Sequence, residues 1–101
     1  MLNPAVAQYI QTHHEQMLAE LAELIRFESL ADAKDPDGCT PCAEWIAGRL
    51  GSLGMTADVV PAAGPPVVLG EWHVDDALPT LLCYAHYDVQ PADPMEEWLS
   101  P

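Results

Sequence analysis

The sequence predicts an α/β fold in which two N-terminal helices pack on a small, mainly antiparallel sheet of about three strands. Apolar residues recur with helical spacing in the first half of the chain. Short apolar or alternating runs, separated by Gly and Pro, fill the second half. With 101 residues, half of them hydrophobic, the chain is long enough for one small domain with a core.

The first helix is predicted over residues 4–28. Asn3 can cap the free backbone N–H groups, and Pro4 is tolerated at the first helical position. A one-sided apolar stripe follows, opposite a face of Gln and Glu residues, as expected for a helix packed on a core. The stripe consists of Ile10, Met17, Leu18, Leu21, Leu24 and Ile25.

The second helix is predicted to begin at Thr40-Pro41, again a cap followed by Pro, and to end near Gly54. Gly48 and Gly51 lower its intrinsic stability, but their small size would let the helix lie close to the sheet. Its apolar stripe consists of Ala43, Ile46, Ala47, Leu50 and Leu53.

Three strand candidates follow, joined by short connections that favour antiparallel neighbours. Residues 55–60 alternate apolar and polar side chains, and residues 67–72 read as the next strand. The third candidate is the apolar run that begins at Thr80, which is short enough for a strand buried on both faces. We expect Trp98 and one edge of this sheet to be exposed, which favours self-association.

The charge of the chain excludes several functions. Sixteen acidic and three basic residues give a net charge of −13, which argues against binding to nucleic acid or to anionic membranes. No apolar run approaches the roughly 18 residues of a membrane span. The N-terminus lacks the basic and apolar regions of a signal peptide, so a cytoplasmic location is expected.

Three cysteines do not suggest a disulfide framework. Cys83 lies in the apolar run and is expected to be a small buried side chain. Cys39 and Cys42 form a CxxC motif, but no strand precedes it closely and no second Cys/His pair accompanies it. We interpret them as two thiols near a helix N-terminus, with thiol redox chemistry as the alternative.

Two further patterns resemble metal sites only superficially. His13 and His14 are adjacent on a helix and point about 100° apart, so they do not converge. The Asp-rich loop over residues 29–38 places Asp35, Asp37, Gly38 and Glu44 at calcium-loop positions 3, 5, 6 and 12. Ala33 would then occupy position 1 without a side-chain oxygen, and Pro36 and Pro41 fit such a loop poorly. We expect a solvated acidic connection.

The stretch that carries chemistry is His86-Tyr87-Asp88, at the end of the apolar run. Residues two apart on an extended chain point to the same side, so the imidazole and the carboxylate would converge at the carboxyl end of a strand. Imidazole is a common zinc ligand, and a nearby carboxylate fixes its tautomer and raises its basicity. The alternative is a partly buried His bonded to the backbone, with Asp88 starting a turn.

The wider stretch, residues 81–94 followed by Glu97-Trp98-Leu99-Ser100-Pro101, resembles the first metal motif of a dizinc hydrolase family. The family includes carnosinase-like dipeptidases, acetylornithine deacetylase, succinyl-diaminopimelate desuccinylase and glutamate carboxypeptidase-type enzymes. The His-Tyr-Asp-Val-Gln-Pro sequence with a following Trp is most similar to the dipeptidase branch. The resemblance implies that His86 is a zinc ligand and that Asp88, counted among the catalytic residues, supports it.

The resemblance also implies residues that this chain does not contain. The family uses a bridging Asp, a Glu general base beside a Glu ligand and two further metal ligands, all downstream of the motif. Residues 1–101 would then be the N-terminal part of a zinc-aminopeptidase-like catalytic domain, truncated after its first metal motif. In the complete enzyme two zinc ions would serve the hydrolysis of peptides or N-acylated amino acids.

For residues 1–101 alone we expect at most one partial zinc site, with weak or no site-specific zinc binding and no hydrolysis. A catalytic zinc ordinarily takes three protein ligands, and the motif supplies one. The alternative function is a non-catalytic acidic α/β association module or a truncated gene product.

Overall fold

Two helices and one β-hairpin make up the regular structure of the ranges 1–32, 34–35 and 37–100, which a computed structural model describes. Helix α1 spans Pro4–Ile25 and helix α2 spans Thr40–Ser52. Strands β1, Thr56–Val60, and β2, Val67–Glu71, pair antiparallel. A 3-10 turn, Met95–Glu97, follows near the C-terminus. The predicted α/β class, with helices before a small antiparallel sheet, is confirmed.

Helix α1 begins as the sequence predicts but does not bury its apolar stripe. The Asn3 Oδ1 atom accepts a hydrogen bond of 2.9 Å from the Ala5 N–H. The helix ends at Ile25, and none of its residues is buried. Leu18 and Ile25 are 53% and 72% exposed. The expectation that both helices pack on the sheet is therefore wrong for α1, because amphipathic spacing forms a helix without specifying what covers it.

Helix α2 is the helix that packs against both strands of the hairpin. The contact is close at Gly70 in β2, where an added Cβ atom would lie 2.9 Å from the Leu50 Cδ1 atom, the end of a flexible side chain. An added Cβ at Gly48 or Gly51 meets nothing within 4 Å. The closest approach between helix and sheet is therefore at the strand glycine and not at the helix glycines predicted for that role. Gly54, with a φ of 93°, ends the α2 region as predicted.

The prediction of a third strand, in the run that begins at Thr80, is wrong: the described ranges contain no strand there. The run from Thr80 forms no ladder, and its one recorded pairing is an isolated parallel bridge between Leu30 and Val89. Leu81 and Leu82 are each 85% exposed, and Cys83, expected to be buried, is also exposed. A strand needs a hydrogen-bonded neighbour, and the two described strands pair with each other instead.

The fully buried part of the molecule is small and lies at the N-terminus of α2. Its apolar members are Cys39, Cys42 and Ala43, each at most 1% exposed. Ser29, 3% exposed, is the buried polar residue recorded for the described ranges. Trp98 is 63% exposed, as expected, with its Nε1–H donating to the Ala92 carbonyl. Neither described helix has the length and apolar character needed to cross a membrane.

Candidate metal-ligand site

His86 and Asp88 lie side by side at the surface. The His86 Nδ1 atom is 3.0 Å from the Asp88 carbonyl oxygen and 3.3 Å from the Asp88 carboxylate Oδ1. The imidazole is 76% exposed and the carboxylate side chain 43% exposed. The ring nitrogen Nδ1 thus faces two acceptors, which favours the tautomer with the proton on Nδ1. The lone pair of Nε2 is then free to bind a cation from solvent.

This geometry combines features of both readings of the His-x-Asp tripeptide. The ring is bonded to backbone, as in the structural alternative, but it is exposed and also lies next to the carboxylate. The convergence of His86 and Asp88 arises without the buried strand that was expected to produce it. That His86 binds metal and that Asp88 supports it stay predictions.

The backbone around Asp88 is tied to the loop that follows α1. The Val89 N–H donates to the Ser29 carbonyl at 2.9 Å, and the Ala31 N–H donates to the Val89 carbonyl at 3.4 Å. The Tyr87 hydroxyl donates to the Pro66 carbonyl in the hairpin loop. Residues 87–89 are therefore anchored to two other parts of the chain, although the preceding apolar residues are exposed.

Sequence reasoning assigned Ser29 to a solvated loop and missed this anchor. The Ser29 hydroxyl donates to the Tyr87 carbonyl at 2.7 Å. No local pattern reveals this contact, because the two residues are 58 positions apart. Ser hydroxyls readily bond backbone groups, but nothing near Ser29 in the sequence indicates which backbone group is the partner.

The CxxC motif lies beneath the anchor and does not have the properties of a redox site. Both thiols are free and buried, at Cys39 before the first turn of α2 and Cys42 within it. Burial raises the pKa of Cys39, and the nearby carboxylates of Asp88 and Asp35 raise it further. Burial also raises the pKa of Cys42, against a smaller lowering effect of the neighbouring Ser29 hydroxyl. Reactive thiols need a lowered pKa and access, so the structure speaks against the redox alternative.

The other histidine and acidic candidates have different surroundings from His86 and Asp88. His13 Nδ1 is 2.9 Å from the Tyr9 carbonyl oxygen, and the two rings stack with centroids 3.9 Å apart. Of the calcium-loop hypothesis, Ala33 and Pro36 lie outside the described residues. Across the residues that are described, no three His, Cys, Asp or Glu side chains are grouped so that they could hold a metal ion.

A cleft of about 580 Å³ lies between α1 and α2, lined by residues that do not include the His-x-Asp motif. Arg49 crosses it, with Nη2 2.8 Å from the Glu20 Oε1 atom and Nη1 donating to the Ser52 hydroxyl. The hydrogen bond from Arg49 holds the pKa of Glu20 below its ordinary value. This ion pair joins the two helices, and the Phe27 ring, just after α1, lies near the Trp45 ring of α2 with centroids 6.0 Å apart. We interpret the cleft as structural.

The comparisons with known proteins point to dipeptidases. The chain is 29% identical over 111 residues to the Beta-Ala-His dipeptidase of Homo sapiens, covering 94% of this chain. It is 28% identical over 109 residues to the Beta-Ala-His dipeptidase of Rattus norvegicus, covering 92% of this chain. The chain spans only about a fifth of these relatives, 22% of each.

No protein-family model and no solved structure matches the chain. The similarity to the two dipeptidases is weak, but it extends over nearly all of the sequence rather than the His-x-Asp motif alone. At a coarse level it is consistent with a partial peptidase-like domain of the hydrolase family that the motif resembles.

Proposed function

We propose that this chain is the N-terminal part of a metal-dependent dipeptidase that hydrolyses peptide or amide bonds. The observation that carries the proposal is the His86 ring, which turns Nδ1 toward Asp88 on a side chain that is 76% exposed. The similarity to two Beta-Ala-His dipeptidases supports the same reaction class and suggests β-alanyl dipeptides as the first substrates to assay.

In this proposal the chain supplies one zinc ligand, and the arrangement of His86 and Asp88 suits that role. With the proton on Nδ1, this N–H donates to the Asp88 carbonyl and carboxylate oxygens, which fixes the orientation of the ring. Zinc in such a site supplies activation of the attacking water and of the scissile carbonyl. The remaining ligands and the general base would come from residues beyond 101, so residues 1–101 should be inactive alone.

The experiment is a hydrolysis assay on a polypeptide extended by the coding sequence that follows codon 101. This polypeptide should hydrolyse β-Ala-His or a related dipeptide, and His86→Ala should lower kcat/KM by at least about 100-fold. His73→Ala is the matched control, because His73 is another exposed His next to an acidic residue. Full activity in the His86→Ala variant would overturn the proposal. A downstream sequence without a further Asp and a Glu-Glu pair would overturn it as well.

The exposed apolar run favours a second candidate, a non-catalytic association module. Leu81, Leu82 and Tyr84 are 85%, 85% and 90% exposed, which is unusual for neighbouring large apolar residues. If two copies of this chain associate through the run, sedimentation velocity should show a dimer of residues 1–101. The double variant Leu81→Ser/Leu82→Ser should then be monomeric. A monomeric parent chain would remove this candidate.

A further inference from the structure

The hydroxyl of Ser29 is buried although Ser is usually exposed. Ser29 is 3% exposed, and its Oγ–H donates to the Tyr87 carbonyl at 2.7 Å. Burying a hydroxyl without a partner is costly, so this bond determines which backbone can lie against Ser29. The partner comes from 58 residues further along the chain.

Ser29 holds the backbone on both sides of Asp88. Its side chain binds the carbonyl of Tyr87, the residue before, and its own carbonyl accepts from the N–H of Val89, the residue after, at 2.9 Å. The peptide groups that flank Asp88 are therefore both fixed by one residue. With these two peptide groups fixed, the Asp88 carbonyl and carboxylate keep their positions at His86 Nδ1.

A second layer of contacts holds Ser29 itself. The Cys39 thiol donates to the carbonyl of Leu30, the residue after Ser29, at 3.2 Å. Both cysteines are 1% exposed and belong to the start of α2. A chain of hydrogen bonds therefore links the buried start of α2, through residues 29 and 30, to the peptide groups beside Asp88.

We propose that Ser29 is a positioning residue for the candidate metal ligand: by clamping the peptide groups on both sides of Asp88, it holds His86 in the Nδ1–H tautomer and keeps Nε2 available. This inference rests on the proposed role of His86. It adds a residue outside the motif, and it assigns a task to the buried hydroxyl that sequence reasoning placed in a loop.

The test is ¹⁵N NMR of the imidazole nitrogens in the metal-free 101-residue chain at a pH where His86 is neutral. The parent chain should show one protonated nitrogen, Nδ1, and one unprotonated nitrogen, Nε2. In Ser29→Ala the two His86 shifts should move toward the averaged values of exchanging tautomers. Ser52→Ala, which removes another hydroxyl that bonds a backbone carbonyl, should leave His86 unchanged.

Two further measurements separate positioning from general destabilisation. Ser29→Cys keeps nearly the same shape but donates weakly, so it should reproduce the loss while the amide spectrum remains that of a folded chain. In an Asp88→Asn background, Ser29→Ala should still move the His86 shifts, because the Asp88 backbone carbonyl that Ser29 holds at Nδ1 is retained. The ring of His73 serves as an internal reference and should not respond.

A parent His86 ring without the Nδ1–H signature would overturn the proposal, and so would an unchanged signature in both folded Ser29 variants. Loss of the Ser29→Ala effect in the Asp88→Asn background would also overturn it. Because the measurement uses no metal, it is independent of the hydrolase proposal. If the His86 tautomer depends on Ser29 but the extended polypeptide hydrolyses no dipeptide, the proposed function is overturned and the positioning role of Ser29 stands.

Discussion

Two His–Asp pairs lie on the surface of this molecule, and they differ in how the carboxylate is held. His73 Nε2 is 3.1 Å from Asp76 Oδ1, and the Asp76 side chain is 99% exposed. His86 Nδ1 is 3.3 Å from Asp88 Oδ1, and Asp88 is 43% exposed between two peptide groups bonded to Ser29. The distances are nearly equal, so contact alone does not distinguish the pairs. The difference is that Asp88 is anchored to the small core, and a fixed carboxylate can hold a ligand in one tautomer.

The largest expected effect comes from disturbing the core that anchors Asp88. Ala43 is fully buried at the start of α2, and Ala43→Leu forces extra volume into a packed site. We expect a loss of about 1–3 kcal/mol in the free energy of unfolding, measured by urea denaturation. Ala77→Leu, an equal change at an exposed position near Asp76, is the control and should have little effect. Equal losses from both substitutions would show that the two regions are equally well packed.

The next effect concerns the two tyrosines that flank His86. Tyr87→Phe removes the hydroxyl that donates to the Pro66 carbonyl and should cost about 0.5–1.5 kcal/mol of stability. Tyr84→Phe, at a side chain 90% exposed, should be nearly neutral in the same denaturation experiment. If Tyr84→Phe costs as much as Tyr87→Phe, the contrast between the exposed run and the anchored segment fails.

Alkaline pH should weaken the anchored region selectively. Burial raises the pKa of Cys39, Cys42 and Tyr87 in the folded chain. Between the unfolded and folded pKa values the unfolded chain binds fewer protons, so stability falls as pH rises. For the thiols this fall begins near the ordinary cysteine value of about 8.5. Denaturation from pH 7 to 10 measures it, and Cys39→Ala/Cys42→Ala should reduce the slope. A stability that rises over this range would contradict the assignment.

Alkylation compares the same thiols by access. At pH 7.5 the exposed Cys83 should react promptly with iodoacetamide, whereas Cys39 and Cys42 should react only as the chain unfolds. Mass spectrometry of the time course counts the modified thiols. Rapid modification of Cys39 in the folded chain would favour the redox alternative. It would also show that the Cys39 thiol is not buried beneath residues 29 and 30.

The smallest effect is expected at the unanchored pair. Asp76→Asn removes one charge from a pair in which the carboxylate is almost fully exposed, so stability should change by less than about 0.5 kcal/mol. The substitution should also leave the His86 ring shifts unchanged. A large loss of stability would mean that the loop around His73 contributes to folding despite the exposure of the Asp76 side chain.

The elements with local signals could be predicted from the sequence. Asn3-Pro4 and Thr40-Pro41 mark the helix starts, and Gly54 marks the end of the second helical region, because capping and φ preferences act over a few residues. The hairpin strands follow from alternation and from the Gly- and Pro-rich turn between them.

The rest depended on contacts that no local pattern specifies. The run 80–85 has the composition of a buried strand, but burial requires a partner, and hydropathy does not say whether one exists. The same limit applies to the exposed stripe of α1. For the candidate site, the sequence identified His86 and Asp88 but not Ser29, because that contact joins residues 58 positions apart. The His86–Asp88 pair could be predicted, whereas the hydrogen bonds from Ser29 that hold Asp88 in place could not.

The most direct test is a zinc titration of the 101-residue chain followed at the ring nitrogens of all four histidines. We expect His86 Nε2 to respond first, with weak affinity because one ligand is present, while Nδ1 stays protonated toward Asp88. His73 should show no comparable response, although its Asp partner lies equally near. Zinc binding that survives His86→Ala, or that appears at His73 before His86, would contradict the assignment of His86 as the ligand.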